Sequence, residues 1–117
     1  MVKRYIVDID GTICSKSGPD YELAEPIQSR IQQLNVLYDQ GHEVVYFTAR
    51  GMGRSGGNTH FAYREFYELT KSQLNNWGVK YTDLILGKPA GDVDIDDKAV
   101  SDEDFFNMKH LGIQSFG

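Results

Sequence analysis

Asp8 and Asp10 stand two residues apart at the close of a short apolar run, Tyr5-Ile6-Val7. In a strand that spacing puts both carboxylates on one face. Gly11 lets the backbone leave sharply. Thr12 adds a hydroxyl and an N–H group expected to be free. Paired acids at the carboxyl end of a buried strand suit a metal ion and a phosphoryl group. An Asp-Gly turn is common by itself. The apolar lead-in, the doubled Asp and the Thr set Asp8-Ile9-Asp10-Gly11-Thr12 apart.

Such acids need elements to hold them. Residues 3–8 read as a buried strand, and residues 13–25 as a polar connection with a turn at Ser17-Gly18-Pro19-Asp20. Pro26 suits the first turn of a helix. Ile27, Ile31, Leu34 and Leu37 or Tyr38 then recur at helical spacing up to Gly41. Residues 43–48 read as a second buried strand, residues 50–59 as a glycine-rich loop and residues 60–76 as a second helix. Phe61, Phe66, Leu69 and Leu74 are its expected core contacts. Leu84-Ile85-Leu86 reads as a third strand and Val93-Asp94-Ile95 as a fourth. A short helix is expected from Asp102, where acids favour a helix start, and a closing edge strand over Gly112–Ser115. The alternation argues for an α/β fold. It implies a three-layer, Rossmann-like sandwich with a mostly parallel sheet, helices on both faces and a single domain over residues 1–117.

In open α/β sheets, ligands bind beyond the carboxyl ends of the strands. Taken in order, those ends carry Asp8 and Asp10, then Thr48, then Lys88, then Asp96 and Asp97. Each alone is unremarkable. Thr48 would be a strand-end hydroxyl, Lys88 a loop lysine and Asp96-Asp97 part of a solvated acidic stretch. Their succession at consecutive strand ends is what points to a site.

Composition narrows the partners. The chain has 117 residues and a net charge of −5, which disfavours nucleic acid as a partner because that needs a basic footprint. No apolar run approaches the roughly 18 residues of a membrane span, so no membrane partner is expected. Cys14 is the lone cysteine. It reads as a small core residue, and a reducing cytoplasm is the expected compartment.

These motifs resemble those of the haloacid dehalogenase superfamily of phosphatases. Asp8-Ile9-Asp10-Gly11-Thr12 is similar to that family's first motif, and Val44-Val45-Tyr46-Phe47-Thr48 to the second. Gly87-Lys88-Pro89 is similar to the third and Ile95-Asp96-Asp97 to the fourth. The resemblance spans roughly residues 3–100. It implies a Mg²⁺-dependent phosphomonoester hydrolase working through an aspartyl-phosphate. Asp8 would be the nucleophile, Asp10 the general acid and base, and Thr48 and Lys88 would stabilise charge on the phosphoryl oxygens. Asp8, Asp10 (through its carbonyl), Asp96 and Asp97 would hold the metal. Asp92 and Asp94 leave that last assignment open. The second Asp is what marks phosphatases within the superfamily.

The chain also resembles the capless branch, since neither usual insertion point has room for a cap domain. An open site admits large substrates or is covered by a second copy of the chain in a homo-oligomer. Thr48-Ala49-Arg50 further resembles a small group associated with capsule and surface-polysaccharide synthesis. The expected substrate is a phosphorylated sugar or other small metabolite. A protein phosphatase and a non-catalytic phosphoryl- or metal-binding module are the alternatives. Gly11 and Thr12 would contact substrate. Arg50 and Arg54, in a loop rich in glycine, would bring positive charge to an anionic leaving group. That loop matches neither the dinucleotide-binding nor the P-loop glycine pattern.

Overall fold

The computed structural model describes residues 1–108. Within them the chain forms a three-stranded parallel sheet flanked by helices, Rossmann-like and without an extra domain. The strands are β1 (Arg4–Val7), β2 (Glu43–Thr48) and β3 (Asp83–Leu86), in the order β1-β2-β3. Helix α1 (Gln28–Asp39) connects β1 to β2, and α2 (Thr59–Asn76) connects β2 to β3. Helix α3 (Asp102–Asn107) follows, capped at its start by the Ser101 hydroxyl, which accepts from the Asp104 N–H.

Parallel register sets the faces. Tyr5 lies opposite Val44, Val7 opposite Tyr46, and Tyr46 opposite Leu84. These side chains join Ile31, Leu34 and Leu37 of α1 and Ala62 and Leu74 of α2 in one core cluster. Both crossovers step the same way along the sheet, and right-handed crossovers of that kind put their helices on one face, where helices on both faces were expected. On the other face, Val45 is buried outside that cluster while Ile6 is 58% exposed.

Local chemistry explains the helix limits. The Asn58 side chain accepts from the Phe61 N–H, so α2 begins at Thr59, one residue before the expected start. Helix α1 begins later than Pro26, which instead pairs with Cys14 in an isolated bridge. The expected fourth strand is not formed. Residues 92–97 run as an irregular segment, with Val93 75% and Ile95 93% exposed. Apolar alternation supplies a strand's faces but no partner edge, and here four acids interrupt the segment. The expected edge strand over residues 112–115 lies outside the described residues.

Candidate active site

Ile9 is fully buried and anchors the two acids beside it. Beyond it the chain turns tightly: the N–H groups of Thr12 and Ile13 both donate to the Ile9 carbonyl at 3.0 Å, and the Gly11 N–H donates to the Cys14 carbonyl at 2.9 Å. The Thr12 N–H, expected free, is therefore spent inside the turn. Gly11 sits at φ +83°, and a Cβ there would meet Lys16 Cε at 2.7 Å. The left-handed backbone is what requires glycine; the lysine stem lying across it is flexible and can give way.

Lys88 arrives from the other side. Its N–H donates to the Thr48 carbonyl at 3.1 Å, continuing the pairing of β3 with β2. Gly87 just before it takes φ +98°, and Thr59 packs where a Cβ would stand. Lys88 Nζ lies 3.8 Å from Asp8 Oδ1 and 3.4 Å from Asp94 Oδ2. Between them opens a cavity of about 330 Å³ whose charged lining is Asp8, Lys16, Lys88, Asp92 and Asp94.

Asp10 faces a different partner. Arg50 Nε donates to Asp10 Oδ2 and Nη2 to Oδ1, each at 2.9 Å, a two-pronged ion pair. The Arg50 side chain is fully buried. Its remaining nitrogen, Nη1, donates to Thr70 Oγ1 and Gln73 Oε1 on α2, and the guanidinium stacks 4.9 Å above the Tyr21 ring. Arg50, expected to meet substrate, thus points inward and fixes the Asp10 carboxylate. Arg54 lies over the outer aromatic surface, 4.9 Å from the Tyr21 ring and 4.7 Å from that of Phe66, and its Nη2 donates to the Pro19 carbonyl. Tyr21 is therefore gripped between two guanidiniums, and its hydroxyl accepts from the Gly51 N–H.

Thr48 is buried at the end of β2, and its hydroxyl accepts from the Arg50 N–H at 3.2 Å. Its neighbour Ala49 lines the cavity. Asp96 and Asp97 stay in the exposed segment. Asp96 accepts from the Lys98 N–H, which with the Asp97 side chain holds its carboxyl below the usual range. The acid of this stretch that faces Lys88 is Asp94, expected inside a strand. Lys16 was also missed, although it is the lone cation between Thr12 and Pro26. Nothing local to Tyr21, Thr70 or Gln73 could have revealed their contacts with Arg50.

Burial is the main influence on Asp8 and raises its carboxyl above the usual range. Lys88 and the Ile9 N–H oppose the rise, while Asp10 and Asp94 add to it. The Cys14 thiol is pushed up to about 12, first by burial and then by Asp10, which leaves it a protonated core residue rather than a nucleophile. Among the described residues no three Asp, Glu, His or Cys side chains converge at metal-holding spacing. Two carboxylates, Asp8 and Asp94, do meet at one ammonium beside the cavity. This all-oxygen donor pair fits Mg²⁺, which takes few protein carboxylates and keeps its waters.

The fold and this cleft define a small α/β protein with acids and lysines gathered beyond a parallel sheet. The crystal structure of an uncharacterised structural-genomics target from Vibrio cholerae is similar, at 30% sequence identity and a TM-score of 0.86, covering 98% of this chain and 96% of that one. The chain belongs to the same family as that protein. No protein-family model matches the chain, and no curated protein does. Among the described residues no helix is long and apolar enough to cross a membrane.

Proposed function

We propose that the chain is a Mg²⁺-dependent phosphomonoester hydrolase of the haloacid dehalogenase type, acting on a small phosphorylated metabolite. The observation that carries this reading is Asp8 opposite Lys88 at the mouth of a cavity, two residues from a second acid held by a buried arginine. Asp8 attacks phosphorus; the new Asp–P bond forms as the bond to the leaving oxygen breaks. Asp10 gives that oxygen its proton, then takes one from the water that releases phosphate. To reach the leaving oxygen, Asp10 must open one of its two bonds to Arg50, while Thr70 and Gln73 keep the guanidinium in place. Lys16 and Lys88 bind the phosphoryl oxygens. Asp8 and Asp94 would hold Mg²⁺, which offsets the repulsion between carboxylate and phosphate.

The purified chain should release p-nitrophenol from p-nitrophenyl phosphate in Mg²⁺ and stop in EDTA. Beryllium fluoride with Mg²⁺ mimics an acyl-phosphate and should raise the melting temperature of the native chain but not of Asp8→Asn. Turnover retained by Asp8→Asn would overturn the proposal. The full engagement of Asp10 by Arg50 favours one second reading, a module that accepts a phosphoryl group without turning over. Beryllium fluoride binding without hydrolysis of any phosphomonoester would select it.

A further inference from the structure

A second cavity, of about 550 Å³, adjoins the first, and the two share Pro89 and Ala90 in their walls. Gly53, Gly56 and Gly57 of the glycine-rich loop line one side and Gly87 the other, with Met52 and Thr59 completing it. Among the described residues no charged or aromatic side chain lines it. The arginines of that loop are committed elsewhere, Arg50 to Asp10 and Arg54 to Tyr21 and Phe66.

We propose that this glycine-walled cavity receives the leaving group of the substrate, and that this group is uncharged and polyhydroxylated, a sugar or polyol. The assignment rests on the phosphatase reading. It differs from the sequence expectation of an anionic leaving group met by arginines. A second phosphate or a carboxylate entering here would lose water and find no cation, a costly transfer. A nucleobase would find no aromatic face to stack on. Hydroxyl groups both donate and accept; the Gly56 and Gly57 N–H groups are spent on the Gly53 and Met52 carbonyls, so the Thr59 hydroxyl and the backbone of Gly53 and Gly87 are what such a group would meet. The volume is that of an ordinary small-molecule site, which runs from about 300 to 1,000 Å³. The substrate would then carry all its negative charge at the phosphoryl end, where Lys16 and Lys88 stand.

Gly53 offers the test. It lies outside the left-handed backbone region, and a Cβ there would meet nothing within 4 Å, so Gly53→Leu can be built without strain. The native chain and Gly53→Leu are assayed in Mg²⁺ on a hexose 6-phosphate, 3-phosphoglycerate, adenosine 5′-monophosphate and acetyl phosphate. The native chain should prefer the hexose phosphate to the glycerate and the nucleotide. In the variant the ratio of kcat/KM for hexose phosphate over acetyl phosphate should fall at least ~10-fold, the loss of about 1.4 kcal/mol of leaving-group binding. The ratio is internal to each preparation and so is insensitive to the folded fraction. A native preference for the glycerate or nucleotide, or an unchanged ratio, overturns the pocket assignment and leaves the phosphatase reading standing. Failure to hydrolyse every compound, acetyl phosphate included, overturns both.

Discussion

At Asp8 the cost of burying a carboxylate is visible as a proton that binds too well. Burial raises its carboxyl, so the folded chain holds this proton more tightly than the unfolded chain does. The stabilising contribution of the group is full below the unfolded carboxylate value, near ~4, and is lost as pH rises through the raised folded value. Asp8→Asn removes that titration. Without divalent cation, the variant should melt above the native chain at pH 7, and the gap should close as the pH falls toward ~4. Thermal melts across that range check it, and a gap that ignores pH would contradict the assignment. Lys88 is drawn to two acids at once, Asp8 and Asp94, and so stands where added negative charge would be met.

The elements hold these residues through contacts of unequal legibility. Strand β2 and helix α2 could be read almost to the residue, because an apolar run and an amphipathic period are local signals. The Val93–Ile95 strand failed because pairing is decided by a partner edge that no local pattern contains. Arg50 is the sharper case. Among glycines it reads as a mobile cation, yet its partners lie 40 residues back at Asp10 and more than 20 ahead at Gln73. A positively charged loop residue turned inward leaves no trace in its own neighbourhood. Removing one partner of a buried pair costs about 3–5 kcal/mol, and Asp10 is partly solvated. Arg50→Ala should therefore lose about 3 kcal/mol in urea denaturation. Arg50→Lys should recover little of it, since an ammonium cannot reproduce the fork. A loss below ~1 kcal/mol, the scale of an exposed pair, would show that the ion pair contributes no more than one at the surface.

For the molecule as a whole, charge and architecture divide the labour. The chain is acidic, and acids crowd the stretch from Asp92 to Asp104. Against that background Lys16 and Lys88 put positive charge on the cavity wall, where it would favour an anion. The three parallel strands and the helices that connect them were within reach of the sequence, but their order was not. The cleft beyond them was legible only in part, since Lys16 and Asp94 enter it through loop paths.

The bonds of Arg50 also determine how the molecule breathes. One guanidinium joins the turn after β1, the Tyr21 ring and the C-terminal half of α2. Helix α2 cannot lift away without stranding that cation, so its opening and that of the Asp10 turn share one free energy. Residues 91–98 sit outside this knot, irregular and exposed, and should open independently. In native-state hydrogen exchange, the amides of Ala62, Thr70 and Leu74 should exchange together with those of Thr12 and Ile13, near the rate set by global unfolding. The amides of Gly91, Asp92 and Asp94 should exchange orders of magnitude faster. Separate exchange of the α2 and Thr12 amides would show that Arg50 orients Asp10 without coupling the two.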